Sequence, residues 1–264
     1  MIHPTALVDP LATLADDVEI GPYAILEGPV VLASGCRVAA HAQLIGSVHV
    51  GPGSSIGRGA VIGEAPQDLS FDPATHSSVE IGKNCTLREH VTIHRGSKEG
   101  GVTRIGDDNL LMVGVHLAHD VQLGRSNVLA NSALLAGHVV VGDNTFIGGG
   151  AVFHQFLRIG DGCVIQGNGS FSKDIPHYCR AQLYNRLVGL NTIGLRRQGF
   201  TAEDRAELKH LFNLLFQSGM NRGQALTAAQ QQTWSARAQR LLDFVAAPSS
   251  KGVCAWRGSR SGAE

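Results

Sequence analysis

The chain has 264 residues with 22 basic and 22 acidic side chains, so no net charge directs it toward nucleic acid or an anionic membrane surface. Glycine is abundant at 33 residues, aromatics make up only 5%, and the five cysteines include no CxxC pair. No window approaches the ~18 consecutive apolar residues of a membrane span, and the opening MIHPTALVDP lacks the basic segment and apolar run of a signal peptide.

A period of six begins at once. Val8, Leu14, Ile20, Leu26, Leu32, Val38, Leu44, Val50, Ile56 and Ile62 keep it without a miss. Six matches neither the 3.6 of a helix nor the 2 of a strand. It is the repeat of a parallel β-helix in which each hexapeptide forms one side of a triangular coil, and coils stack at the ~4.8 Å strand spacing. The series breaks where Asp68 replaces the next aliphatic, and residues 64–78 read as a polar, proline-containing insertion. It resumes at Ile81, Leu87 and Ile93, one residue out of phase, which is what a looped-out segment leaves behind. Residues 95–104 form a second excursion. The period then runs through twelve positions from Ile105 to Phe171. Loops that leave a rigid solenoid are where binding groups are expected, with surface decoration as the alternative.

Cys36, Cys85 and Cys163 fall four residues after an inward aliphatic, so they read as small buried hydrophobes in a reducing, cytoplasmic setting. Asp174-Ile175-Pro176 marks the exit from the coil. From Thr201, a capping residue with Asp204 three positions on, the period turns helical: Leu208, Leu211, Phe212, Leu215 and Phe216 share one face, and Gly219 ends it. Further helix is expected over residues 225–232 and 235–245. The fold class is therefore mainly β: a parallel β-helix over residues 1–178, a small helical domain over 179–247, and a disordered tail over 248–264.

Seven of the twelve histidines lie between His76 and His154. His119 and His138 are about one coil apart, and His154 follows one coil later on the same edge. Three readings compete for this seam: solvated surface histidines, an imidazole metal site of the γ-carbonic anhydrase type, and a general-base site. His119 followed by Asp120 offers a carboxylate that can fix the tautomer of a base, although a carboxylate can equally orient a metal-bound histidine. Gly137 supplies an unencumbered N–H for an oxyanion. No serine or cysteine stands in a nucleophile elbow, so a covalent intermediate is not expected.

Thr92-Ile93-His94-Arg95-Gly96, Asp108-Asn109-Leu110-Leu111-Met112, His116-Leu117-Ala118-His119-Asp120, Leu135-Ala136-Gly137-His138-Val139, Val152-Phe153-His154-Gln155-Phe156 and Leu195-Arg196-Arg197-Gln198-Gly199-Phe200 closely resemble motifs of the bacterial UDP-N-acetylglucosamine acyltransferases, over residues 1 to about 220. The resemblance implies a left-handed β-helix, a homotrimer with sites between subunits, and acyl transfer from acyl-carrier protein to the 3-hydroxyl of the nucleotide sugar. This is the first acylation of lipid A synthesis, with no cofactor and no resident metal. It implies His119 as base, Asp120 as its orienter and the Gly137 N–H as oxyanion donor. Gln67, Asp68, His94, His116, His138, His154, Gln155, Asn191 and Arg197 match substrate-binding positions, and Val164 and Gly167 match the acyl-chain groove. An excess of seven basic over three acidic residues across 180–222 suits an acidic carrier protein. Ser70, Ile193 and Gln198 depart from the family's usual Lys, Glu and Arg. A paralogous acyltransferase with another nucleotide-sugar acceptor, a metal-dependent hydratase and a non-catalytic carrier-binding scaffold are therefore the alternatives.

Overall fold

The computed structural model describes residues 1–256. Most strands are only two to four residues long, and they stack into three sheets of nine, eight and eleven strands, parallel except for one antiparallel pair in the third. The first sheet starts at Leu7–Val8, the second at Thr13–Leu14 and the third at Glu19–Ile20, so the chain visits the sheets in rotation. Each strand pairs with the one a full coil later, as in Leu117 with Leu135 and Leu123 with Val141, an offset of 18 residues. This is a left-handed parallel β-helix, in which every hexad is one side of the prism.

Two features of the hexad make the coil. The first aliphatic points inward: Ile93, Leu111, Leu117, Leu129 and Leu135 have no exposed surface. Each such side chain contributes roughly 1.5–3 kcal/mol of burial. Three residues later the backbone turns with positive φ, at Asp108, Gly114, Asp120, Ser126, Ser132, His138, Asn144, Gly150, Phe156, Gly162 and Asn168. Only three of these eleven are glycine. Asn, Asp and His tolerate the left-handed region, whereas a bulky Phe156 there is an outlier.

One edge carries a buried ladder of side-chain donors. Cys36 Sγ, Ser54 Oγ, Cys85 Sγ, Asn109 Nδ2, Thr145 Oγ1 and Cys163 Sγ donate in turn to the carbonyls of Gly51, Gly82, Gly106, Gly124, Gly160 and Pro176, at 2.7–3.2 Å. The three cysteines are thus inward and free, as read from the sequence, and they also hydrogen-bond.

The phase slip has a simple origin. Ser47 pairs with Ser78, an offset of 31 in place of 18, so 13 residues are extruded: two hexads and one more. Ser78 pairs with Val102, an offset of 24, so six are extruded. The flanking strands Val61–Glu64, Ser78–Ile81, Thr92–His94 and Val102–Ile105 confine the loops to residues 65–77 and 95–101, slightly narrower than the sequence indicated.

The third sheet continues past the expected exit at residue 178. Cys179–Gln182 adds in parallel to Val164–Ile165 and turns back through Arg186–Leu190. Helices α1 (Thr192–Arg197), α2 (Ala202–Phe216), α3 (Arg222–Gln230) and α4 (Ala236–Ala246) follow. Thr201 and Asp204 form the capping box that opens α2. The expectation of a disordered tail from residue 248 fails at its start. Ala255–Trp256 adds to the Arg186–Leu190 strand, Cys254 is buried, and Trp256 meets the Phe212 ring edge-on at 5.8 Å. These apolar contacts offset the ordering cost that the polar composition suggested would prevail. Residues 257–264 of that tail lie outside the described residues. No described helix is long and apolar enough to cross a membrane.

The ladder predicts its own energetics. Asn109→Ala removes the donor to Gly124 O and the acceptor of the Asn127 N–H, so urea titration should find the unfolding free energy lower by about 2–4 kcal/mol. Cys85→Ser, which keeps a donor toward Gly106, should cost under about 1 kcal/mol.

Candidate active site

The edge between the first and second sheets collects the histidines, because strands of the first sheet end there and the corner residues follow. His119 and Asp120 lie between His116–Leu117 and Gln122–Leu123, and His138 is one coil on. His119 Nδ1 lies 2.8 Å from Asp120 Oδ2. A carboxylate only accepts, so Nδ1 carries a proton, and in the neutral ring Nε2 keeps its lone pair. That Nε2 sits over the Gly137 backbone: a Cβ built on Gly137 would lie 2.6 Å from it and 2.5 Å from His119 Cε1. Any side chain at residue 137 would displace the imidazole. Among the described residues the Gly137 N–H donates to no group.

Asp120 is the hub. Its Oδ2 accepts from the Ser97 hydroxyl at 2.6 Å and the Ser97 N–H at 3.1 Å, its own N–H donates to Thr103 Oγ1 at 2.8 Å, and His138 Nε2 stands 3.6 Å away. Burial pushes the Asp120 carboxyl up, but the hydrogen bonds from Ser97 and His119 outweigh it and hold the group below its ordinary range. The His138 ring meets His119 edge-on at 5.1 Å and stacks on Phe156 at 4.5 Å. Burial lowers the His138 pKa, with Asp120 opposing.

A second pair lies beneath the first loop. His94 Nδ1 donates to Ala65 O at 2.6 Å, His116 Nδ1 meets Thr92 Oγ1 at 2.8 Å, and the two rings cross edge-on at 5.2 Å. Burial, and then the neighbouring His94, push His116 down to about 4, and burial also lowers His94. Both are neutral at pH 7. In the same loop Asp68 Oδ1 accepts from both the N–H and the hydroxyl of Ser70, and these bonds lower its pKa. The proximity of His119 lowers it further. Ser70 thus brings no cation, but it locks the carboxylate and leaves Oδ2 for a ligand.

His119, Asp120 and His138 each place a potential metal-ligand atom within 4.8 Å of one another. As a metal set they are compromised. Asp120 Oδ2 is already shared by Ser97 and His119, and an ion bound at that atom would compete with both bonds.

The comparisons with known proteins bear on this arrangement. Residues 174–254 match the family model described as UDP N-acetylglucosamine O-acyltransferase, domain 2. An acyl-[acyl-carrier-protein]–UDP-N-acetylglucosamine O-acyltransferase of Syntrophobacter fumaroxidans is 42% identical over 257 residues, 96% of this chain and 98% of that protein. The chain belongs to the UDP-N-acetylglucosamine O-acyltransferase family. The UDP-N-acetylglucosamine acyltransferase structures from Bacteroides fragilis and Moraxella catarrhalis superpose with TM-scores of 0.90 and 0.91, at 38% and 36% identity. Each covers 96% of this chain and 99% of its own.

This acyltransferase chain brings some of the family's positions together and keeps others apart. Asp68, His94, His116, His119, Asp120, Gly137 and His138 cluster along one edge with its loops, and exposed His154 and Gln155 follow on the next coil. Gln67 is exposed on the first loop beside Asp68. Val164 and Gly167 lie elsewhere, on the third sheet and at the edge after it. Arg197 is exposed in the last turn of α1. The Asn191 amide donates to Gly162 O at 2.9 Å and accepts from Gly194 N at 3.0 Å, capping α1 in a buried position. A Cβ on Gly167 would lie 2.9 Å from Gly149 O. Its small size serves close backbone packing. Sequence reasoning missed Ser97, Thr103 and Thr92. Only Thr103, 17 residues before Asp120, stood at about one coil's spacing in the sequence.

The buried histidines predict a pH dependence. Neutral His116 is the folded form, so the folded state binds fewer protons between its pKa of about 4 and the ordinary 6.5. Stability should therefore fall as pH drops through that window. Urea unfolding at pH 7 and pH 5 checks it, and His116→Gln should narrow the difference between the two.

Proposed function

We infer that the protein transfers a hydroxyacyl group from acyl-carrier protein to the 3-hydroxyl of UDP-N-acetylglucosamine, the first acylation of lipid A synthesis, by direct general-base catalysis. The observation that carries this reading is the His119 imidazole, tied through Nδ1 to Asp120 and lying with Nε2 over Gly137. His119 Nε2 takes the proton of the sugar hydroxyl as its oxygen attacks the thioester carbonyl. The carbonyl oxygen becomes an oxyanion and accepts from the Gly137 N–H. Collapse of the tetrahedral species breaks the carbon–sulfur bond, and the departing thiolate takes the proton from the imidazolium. Asp120, ionised at working pH, supports the transient imidazolium without itself accepting a proton.

Gln67 and Asp68, with His94, His116, His138, His154 and Gln155, are the acceptor side of the site. Arg197 and Asn191 match the nucleotide and carrier-protein side. Val164, flanked on the third sheet by Phe146, offers apolar surface to the acyl chain. These groups lie on different edges of the prism, so a single protomer cannot converge them on one substrate, whereas a cleft between protomers can. That geometry supports a homotrimer. Five free thiols suit the cytoplasm as its place of work.

His119→Ala should lower kcat about 10²- to 10⁴-fold with the fold intact by circular dichroism. Near-normal turnover would remove His119 from the mechanism. Gly137→Ala should lower kcat as well, because the added methyl occupies the space of the imidazole. The acceptor is tested by kcat/KM across a panel of nucleotide sugars. A clear preference for any other than UDP-N-acetylglucosamine overturns the assignment, and loss of turnover after chelation would favour a metalloenzyme. Val164→Phe should shift selectivity toward shorter acyl chains, since each methylene excluded from apolar contact is worth about 0.8 kcal/mol.

A further inference from the structure

The loop of residues 95–101 holds one side chain against Asp120. Gly96 and Gly101 pinch its neck: a Cβ on Gly96 would lie 2.3 Å from the Gly101 carbonyl carbon. The Gly101 N–H closes onto Lys98 O at 2.7 Å, and Gly100 takes a φ of 68°. The first loop is tied to it through the Gly100 N–H to His76 O at 2.8 Å and the His76 N–H to Glu99 at 3.0 Å. The side chain this framework presents at the neck is Ser97. Its hydroxyl donates to Asp120 Oδ2 at 2.6 Å, and its N–H spans both carboxylate oxygens at 3.1 and 3.2 Å.

Asp120 has two histidines to choose between. His119 Nδ1 is 2.8 Å from Oδ2, and His138 Nε2 is 3.6 Å from the same atom. The carboxylate sits at a left-handed corner with its own N–H bound to Thr103, so its remaining freedom is rotation of the side chain. A rotation that closes the gap to His138 would release His119 Nδ1 and its fixed tautomer. We propose that Ser97 is a positioning residue for the reaction: it orients Asp120 toward His119 and away from His138, and so keeps the base atom at Nε2. The inference rests on the general-base reading of His119. It also gives the second loop a task that the resemblance to the family did not assign.

The test is Ser97→Ala beside Ser97→Thr, both as the full-length protein. In Ser97→Ala the backbone N–H remains, so kcat should fall about ten- to a hundredfold, less than removal of the base itself. KM for the nucleotide sugar should stay within about twofold, because an unaltered acceptor site binds as before. Ser97→Thr keeps the donor and should restore most of the rate. The readout independent of turnover is ¹⁵N NMR of the His119 ring. The wild type and Ser97→Thr should show a single Nδ1–H tautomer, and Ser97→Ala should show shifts averaged toward both tautomers. A fixed Nδ1–H tautomer in Ser97→Ala overturns the proposal whatever the rate. So does a rate loss that Thr fails to rescue and that is matched by a raised KM and a lowered melting temperature, since Ser97 would then serve only the loop's fold. If His119→Ala retains turnover while Ser97→Ala still scrambles the tautomer, the general-base reading falls and takes the catalytic role of Ser97 with it, although Ser97 still orients Asp120.

Discussion

The left-handed turn that closes most hexads is the constraint on which this molecule depends. A coil of 18 residues returns each corner to the same place one strand spacing higher, so corner side chains stack whether or not chemistry needs them to. Asp120 and His138 occupy corner positions one full coil apart. Their 3.6 Å approach follows from the repeat itself. Positions that elsewhere hold Asn, Ser or Gly, chosen for tolerance of positive φ, here hold groups that titrate. The strained corner at Phe156 adds a ring that stacks on His138 from the next coil.

Much of this was legible in the sequence because the signal is periodic. A six-residue repeat of inward aliphatics gave the coil, and its one-residue slip after Ile62 is accounted for by 13 extruded residues. The Thr201–Asp204 capping box was readable because both residues act locally. What escaped reading depends on distance in the chain. Ser97 reaches Asp120 only because six residues are extruded between the coils, and an insertion gives no register from which to count. Asn191 matched a ligand-binding position, yet its amide is taken up by a helix terminus and by a carbonyl 29 residues back. The ordering of Cys254 to Trp256 escaped composition for the same reason, since its partners are Arg186–Leu190 and Phe212.

The two loops and the rigid prism divide the labour of the site. The prism fixes His119 over Gly137 with a precision set by backbone hydrogen bonds. The loops add groups that a regular coil cannot supply: a locked Asp68, a carbonyl at residue 65 that sets the His94 tautomer, and the Ser97 hydroxyl. The departures from the family's usual residues fall mainly outside this core. Ser70 trades a cation for a local bond to Asp68, and Ile193 stands exposed on α1. The groups proposed to move the proton and those proposed to face the acceptor can therefore vary separately.

The ladder of donors along the buried edge has a practical corollary for labelling. Burial raises the pKa of all five thiols, and pushes Cys163 and Cys254 up to about 12. Reaction with alkylating agents requires the thiolate and access to it, and here both are withheld by the core. The native protein should thus be silent toward maleimides while folded. A single cysteine introduced on an exposed loop residue such as Leu69 would report alone, with no need to remove the native thiols that hold the coils together.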